Sequence, residues 1–207
     1  MKIQFEKYNL AWKQTFEKIR DELADVIGFI HPQIEHIGST SVEGLSAKPI
    51  VDILVGLHSE NDLDKITQPL MDKGYVYYEK YNKAMPYRRF FVKYKVIPHG
   101  LSVPNLIHEE DNIPEVLIRH DYRLAHIHAI PVNSGHWTRH IAFRDYLLSH
   151  PDIKEKYQRL KEQLSTQEWK DGNEYNEGKD GFIKREEQKA IEWYRECNRR
   201  RCDNQGK

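Results

Sequence analysis

The chain has 207 residues with a hydrophobic share of 39%, which is enough for one domain with a buried core. Lys plus Arg equal Asp plus Glu at 32 each, so the chain lacks the basic field that drives general nucleic-acid binding, and nucleic acid is not favoured as a partner. No apolar run is long enough to cross a membrane, and the two cysteines, Cys197 and Cys202, lie in a charged tail, which favours the reducing cytoplasm.

The first third of the chain predicts alternating helices and strands. The predicted elements are a helix over 10–29, strands over 34–37 and 50–55, and a helix over 61–73. Asn9 is suited to cap the first helix, and Gly74 is suited to end the second one. Pro69 lies inside the second helix and predicts a kink or a division there.

The connection between the first two strands is rich in small and hydroxyl residues. Gly38 allows the backbone to approach a ligand, and Ser39, Thr40 and Ser41 add hydroxyl donors, so this turn is suited to phosphate oxygens. Asp52 then lies within an apolar strand, where a carboxylate needs a partner, a hydrogen bond or a metal. A hydroxyl-rich turn followed by a strand carboxylate indicates nucleotide and metal chemistry.

The middle of the chain predicts strands and a long loop. The elements are strands over 75–78, 89–96 and 123–130, and a loop over 97–122 with a short helix after Pro114. In the second strand Arg89 and Lys93 share a face that points either at an acidic ligand or at solvent. In the last strand His126 and His128 share a face, where they either serve a metal, a phosphate or proton transfer, or are satisfied by neighbouring groups.

The last third predicts helices over 134–149, 153–164 and 174–194. Arg144, with His140 beside it, falls on the apolar arc of the first of these helices. It either reaches an anionic ligand or forms a structural ion pair. Lys179 intrudes on the apolar stripe of the last helix, with the same two interpretations. We therefore divide the chain into a core over 1–133, a helical portion over 134–194 and a charged, flexible tail over 195–207.

The string HIGSTSVEGLSAKPIVDI, from His36 to Ile53, resembles the signature of the GrpB family, whose members resemble the nucleotidyltransferase superfamily. The likeness continues through most of the chain, at positions that include Trp12, Arg88 to Phe91, Tyr157, Lys161, Lys179 and Phe182. It departs from the family pattern at Glu43, at Ser46 and in a longer segment over 97–122. The resemblance implies an α/β (α+β) fold, with a mixed, mostly antiparallel sheet flanked by helices and a C-terminal helical portion.

The resemblance also implies a site. Nucleotidyltransferases hold a divalent metal on two acids of the strand after the phosphate turn, and this chain has Asp52 but Leu54 at the second position. The candidate catalytic and metal residues are Asp52, His126 and His128, the two histidines on the ground of their shared strand face. The candidate phosphate- or nucleotide-binding residues are Gly38, Ser39, Thr40, Ser41, Lys48 and Arg144, the last on the ground of its place on the apolar arc of its helix. The metal is Mg²⁺ or Mn²⁺ on carboxylates, and Mn²⁺ or Zn²⁺ if the histidines take part. Glu35 and Glu43 are further candidate acids.

Three functions remain open at this point. The chain is a nucleotidyltransferase, a nucleotide-binding module without transfer chemistry, or a metal-dependent phosphoester hydrolase that uses Asp52, His126 and His128. GrpB-like domains are found fused to dephospho-coenzyme A kinase, so the resemblance makes nucleotides and coenzyme A precursors the first ligands to consider.

Overall fold

The computed structural model describes residues 5–95, 103–170 and 172–205. Within these ranges the helices are α1 (Ala11–Ile27), α2 (Thr67–Asp72), α3 (Glu115–Ile118), α4 (Gly135–Ser149), α5 (Pro151–Ser165) and α6 (Gly172–Gln205), joined by short 3-10 turns. The strands are β1 (Gln33–Ile37), β2 (Val51–Leu57), β3 (Val76–Tyr77), β4 (Arg89–Tyr94) and β5 (Arg123–Pro131).

The five strands form one sheet in the order β1-β2-β5-β4-β3. Strand β2 pairs with β5 in parallel, and the other three pairings are antiparallel. The predicted fold class, a mixed and mostly antiparallel sheet with helices and a C-terminal helical part, is confirmed.

One face of the sheet builds the main core. Because side chains alternate along a strand, Val51, Ile53 and Val55 of β2 point to one side, where Ile127 of β5 and Phe91 of β4 join them. Helices α1 and α2 cover this face with their apolar residues Trp12, Ile19, Leu23, Ile27 and Leu70. This side of the sheet is therefore fully occupied by packing.

The opposite face is polar at its centre. The register pairs Asp52 with His126 and Leu54 with His128, so both imidazoles lie on the same face as the carboxylate. Helix α4 lies over this face, and Trp137 packs so close to Gly56 that a β-carbon there would lie 2.5 Å from the indole ring. Helices α5 and α6 complete the cover around a second apolar cluster built on Val42 and Leu45.

One predicted helix is divided in the structure. The predicted helix over 61–73 is divided into a 3-10 turn, Glu60–Asp62, and α2, which begins at Thr67. The division precedes Pro69, which lies in the first turn of α2, where a missing N–H breaks no helical hydrogen bond. The short helix after Pro114 is present as α3. Val96 of the predicted strand over 89–96 and residues 97–102 of the predicted loop lie outside the described residues.

Helix α6 is longer than the sequence predicts. It continues from the predicted end at Tyr194 to Gln205, because the chain has no glycine or proline between residues 182 and 205 to interrupt it. The flexibility of the tail over 195–207 stays a prediction, and its last two residues lie outside the described ranges. Neither α6 nor any other described helix combines the length and the apolar character that a bilayer crossing requires.

Candidate functional site

The turn after β1 brings Gly38 against Asp52. Gly38 has φ +70° and ψ −172°, a conformation that is essentially restricted to glycine. A β-carbon at residue 38 would lie 2.5 Å from Asp52 Oδ2, so the backbone approaches the carboxylate in a way that no side chain permits. The turn and the strand carboxylate predicted from the sequence therefore form one site.

The three hydroxyls of the turn have different surroundings. Ser41 Oγ donates to Gly38 O at 2.6 Å, and Thr40 Oγ1 is buried 3.0 Å from His36 Nε2. Ser39 Oγ instead lies 3.4 Å from Lys161 Nζ. Ser39 is thus the hydroxyl of this turn that adjoins a cation, whereas Thr40 and Ser41 hold the turn itself together.

Asp52 lies between two histidines, and each histidine lies beside an arginine. His126 Nδ1 is 3.0 Å from Asp52 Oδ1, and Arg123 Nη1 is 3.4 Å from His126 Nε2. On the other side, His128 Nε2 is 4.0 Å from Asp52 Oδ1, which is too long for a hydrogen bond, and Arg88 Nη1 is 3.4 Å from His128 Nδ1. The order of groups is Arg123, His126, Asp52, His128 and Arg88.

This order assigns the histidine tautomers. A guanidinium only donates, so the imidazole nitrogen that faces an arginine must accept, and the N–H of each ring points toward Asp52. Burial lowers the pKa of His128, and the charge of Arg88 adds to that effect. Burial acts to raise the pKa of Asp52, but His126 and His128 outweigh it, and the pKa lies well below its usual value. The centre is a carboxylate held ionised beside two imidazole N–H groups.

The same order of groups decides whether the predicted metal ion could bind to Asp52, His126 and His128. Both nitrogens of each ring are directed at protein groups, and among the described residues no three His, Cys, Asp or Glu side chains are grouped so as to hold a metal ion. Leu54, at the position of the second acid, is fully buried and apolar. As arranged, Asp52, His126 and His128 do not fit a resident metal. The predicted metal-binding role of these residues stays a prediction, and the ligand binding proposed below does not require it.

Three lysines from three parts of the chain converge beside this centre. Lys161 of α5 is 2% exposed; its ammonium donates to Ser46 O and lies 4.9 Å above the ring of Tyr157. Lys48, just before β2, and Lys179 of α6 each place the ammonium 4.8 Å from the ring centre of Tyr175. The cluster formed by Lys48, Lys161 and Lys179 is called the lysine cluster below.

The lysine cluster carries more positive charge than the protein neutralises. Burial, followed by the charge of Lys179, lowers the pKa of Lys48 to about 8 and that of Lys161 to about 7. Burial also lowers the pKa of Lys179, and Asp52 partly offsets this. None of the three forms an ion pair with a carboxylate in the described part of the chain. Such a cluster is suited to a polyanionic ligand that supplies the missing negative charge.

Arg144, predicted among the phosphate ligands, is occupied by protein groups. Its Nη1 donates to Glu35 Oε2 at 2.6 Å and to His36 O at 3.0 Å, and its Nε donates to Asp145 Oδ1 at 2.8 Å. This is the structural ion pair that the sequence left open as the alternative. Glu35, a candidate acid, is the partner in that pair. Glu43 is exposed at the surface, and Lys154 Nζ donates to its backbone carbonyl.

The sequence analysis did not single out Lys161, Arg88 or Arg123 as site residues. A signal for Lys161 exists: it follows Ile153 and Tyr157 at intervals of four, so helical spacing places it on the buried face of α5. Arg123, at the start of β5, lies three residues before His126 on the same strand. Arg88 lies just before β4, and only the pairing of β4 with β5 brings it to His128. That pairing cannot be read from local sequence.

Comparisons with known proteins agree with one another. The family model described as GrpB protein matches residues 2–189. UPF0157 protein YqkA of Bacillus subtilis is 30% identical over 192 residues, which are 93% of this chain and 48% of YqkA. Glutamate-rich protein GrpB of Alkalihalophilus pseudofirmus is 29% identical over 173 residues, which are 83% of this chain and 86% of that protein. This chain thus spans about half of YqkA and most of the second relative.

A solved structure is also similar. The crystal structure of conserved protein GrpB from Enterococcus faecalis has a TM-score of 0.72 and 30% identity, and the match covers 92% of this chain and 99% of that one. The sheet and the C-terminal helices that frame the site therefore belong to an arrangement found in a solved relative.

Proposed function

The chain belongs to the GrpB family, and from this premise and the geometry of the site we propose that it is a nucleotidyltransferase-like protein that binds a nucleotide or another phosphate-bearing small molecule. The phosphates lie at the lysine cluster and Ser39. Coenzyme A precursors belong to the same ligand class. A divalent cation arrives with the polyphosphate as part of the ligand.

One observation carries this proposal, namely the lysine cluster, in which Lys161 is buried, Lys48 and Lys179 are half-buried, and no carboxylate among the described residues forms an ion pair with any of the three. Placing several ammonium groups together away from water is unfavourable unless counter-charges are present. Within the described residues, the hydrogen-bond partners of the 2% exposed Lys161 are the neutral oxygen atoms Ser46 O and Ser39 Oγ. Phosphate oxygens would supply charge-assisted hydrogen bonds to all three ammonium groups, which makes the bound state the one in which these lysines are stabilised.

Asp52 supports transfer chemistry as the second part of the proposal. It adjoins the turn at Gly38 and lies close enough to Lys48 and Lys179 to influence the pKa of both. In the transfer step an acceptor hydroxyl oxygen bonds to the α-phosphorus of a nucleoside triphosphate, the bond from that phosphorus to the bridging oxygen breaks, and pyrophosphate leaves. The hydroxyl proton passes to Asp52 and from there to solvent. Without such turnover the protein is a binding module.

Titration calorimetry with nucleoside triphosphates and dephospho-coenzyme A, in Mg²⁺ and in chelator, tests the proposal. We expect binding of at least one of these ligands in both conditions, because the lysine cluster needs no metal to attract phosphate. Pyrophosphate release in the presence of candidate acceptors then separates transfer from binding alone. Absence of binding by every ligand in both conditions refutes the proposed function.

A matched pair of variants on α6 shows whether the lysine cluster is the binding site. Lys179→Gln removes a cluster ammonium, whereas Lys184→Gln removes an exposed ammonium that pairs with Asp180 on the same helix. We expect Lys179→Gln to weaken binding about tenfold or more, and Lys184→Gln to change it less than twofold. Equal effects of the two substitutions would contradict the assignment.

A further inference from the structure

A second cation, Arg88, is left without an acid on the far side of His128. It directly precedes β4, its guanidinium lies 5.1 Å from the ring centre of Phe90, and its Nη1 lies 3.4 Å from His128 Nδ1. Its Nε is buried and has no hydrogen-bond partner. Arg88 forms no ion pair within the described residues, and burial lowers its pKa. A half-buried guanidinium whose one hydrogen-bond partner among the described residues is an imidazole has unused donors.

The neighbouring arginine shows the contrast. Arg89 points to the other face of the sheet, where its Nε donates to Asp64 Oδ1 at 2.6 Å and its Nη1 donates to Pro86 O at 2.9 Å. The protein thus supplies an acid directly to Arg89, whereas no acid in the described part of the chain pairs with Arg88. Since a guanidinium is weakly hydrated and binds oxyanions with two parallel hydrogen bonds, Arg88 is suited to a carboxylate or a phosphate.

The surroundings of Arg88 extend this second cationic region. His140 of α4 has its ring centre 6.2 Å from that of His128, and Arg139 Nη2 lies 3.2 Å from His140 Nε2. Arg139 has its own acid, Glu187, at 3.4 Å, although its Nε is also buried without a partner. Burial, and then the neighbouring His128 and Arg139, lower the pKa of His140 to about 3, so this ring is neutral. The unpaired charge of the region is therefore that of Arg88.

The placement of Arg88 relative to Asp52 gives the region a role. Across the sheet, the turn that bears Ser39 follows β1, Asp52 lies on β2, His128 on β5, and Arg88 next to β4. Arg88 is thus separated from Asp52 by one imidazole ring, on the side away from the turn. A molecule held at Arg88 and a phosphate held at the lysine cluster would approach Asp52 from opposite sides.

We propose that Arg88 forms an anion subsite for the acceptor, so that the acceptor of the transfer is a small molecule bearing a carboxylate or a phosphate group. This inference rests on the proposed function for the role of the acceptor, but the subsite itself is tested independently. Arg88 holds the anionic group of the acceptor, and Asp52 faces the attacking hydroxyl.

The test is a titration of inorganic phosphate and, separately, of acetate into protein saturated with ATP, so that the lysine cluster is already occupied. We expect wild-type protein to bind at least one of the two anions. Arg88→Gln should weaken that binding about tenfold or more while changing ATP affinity less than threefold. The matched control, Arg159→Gln, removes an exposed arginine that pairs with Glu155, and it should leave both affinities within twofold.

The outcomes separate the two proposals. If ATP does not bind, the proposed function fails, and titration of phosphate and acetate into Lys161→Gln protein still reports on Arg88. Should neither anion bind, or should Arg88→Gln bind them as the wild type does, the subsite is wrong. If Arg88→Gln does not fold, the Nε–H signal of Arg88 in wild-type protein, assigned by its loss in Arg88→Lys, decides the question: it should shift on addition of the anion, and an unmoved signal overturns the inference.

Discussion

Replacing Lys161 by methionine should stabilise the ligand-free protein and weaken phosphate binding at the same time. Methionine has nearly the length of lysine and fills the same buried space without a charge. If the ammonium is present to meet a ligand, its removal relieves an unfavourable burial in the free protein and removes a favourable contact in the complex. The two effects have opposite signs.

The structure sets the size of each effect. A lysine pKa lowered from 10.5 to about 7 corresponds to an ammonium destabilised by about 5 kcal/mol, at about 1.4 kcal/mol per pH unit. Loss of the hydrogen bond to Ser46 O costs about 1–3 kcal/mol. The net gain is about 2 kcal/mol or more, which raises Tm by roughly 4–8 °C in a chain of this length. The lost charge-assisted contact weakens phosphate binding about 10- to 100-fold.

Differential scanning calorimetry with and without ATP measures both effects, since a ligand that binds the folded state raises Tm. Lys156→Met is the matched control, because Lys156 lies on the same helix, is largely exposed and pairs with Asp152. It should change neither Tm nor ATP affinity appreciably. A lower Tm together with unchanged ATP affinity in Lys161→Met would refute the reasoning and make Lys161 a structural cation.

Three further predictions follow from the same contacts. Gly38→Ala should destabilise the protein by about 1–3 kcal/mol, because the backbone conformation of residue 38 excludes a side chain and the new β-carbon would meet Asp52. Chemical denaturation measures the free energy of unfolding. A change below about 0.5 kcal/mol, which is typical of a surface substitution, would contradict the prediction. The folded-state pKa of Lys161 lies below its unfolded value, so between about pH 7 and 10.5 the unfolded chain binds more protons and this group adds stability as pH rises. The affinity for ATP needs the ammonium and therefore falls over the same range. From pH 6.5 to 9, the free energy of unfolding from denaturation curves should rise while the ATP affinity from binding curves should fall. Arg144→Ala breaks the pair with Glu35 and should lower Tm while leaving ATP affinity within about twofold; weakened binding at an unchanged Tm would instead make it a ligand residue.

Local patterns were sufficient to predict the turn and its flanking strands. The two strands alternate or run apolar over a few residues, and a glycine followed by three hydroxyl residues between them has few structural alternatives. The shared face of His126 and His128 follows from the period of a strand, and the register confirms it. The limits of α2 and α6 were missed because the apolar stripe does not decide them. Tertiary contacts decide where α2 begins, and the absence of a helix-breaking residue lets α6 continue beyond its apolar stripe.

The site as a whole could not be predicted, because its members are far apart in sequence. Lys48, Lys161 and Lys179 come from a loop and two helices, and only the packing of α5 and α6 brings them together. From the sequence, Lys179 on the apolar stripe of α6 was either a phosphate ligand or the partner of a carboxylate. Within the described residues it forms no ion pair with a carboxylate. The packing of α4 on β1 gives Arg144 its acid partner Glu35, which the sequence had left open.

Proton uptake on ligand binding tests the central claim most directly. At pH 8 a terminal phosphate with a second pKa of about 6 is fully ionised, so any proton taken up comes to the protein. Calorimetric titration of ATP in buffers of different ionisation enthalpy gives the number of protons bound. If phosphate binds the lysine cluster, wild-type protein takes up protons at pH 8, because the ligand raises the lowered pKa values of Lys48 and Lys161, and Lys161→Met takes up fewer. ATP binding without proton uptake, or with equal uptake in the variant, would contradict the account.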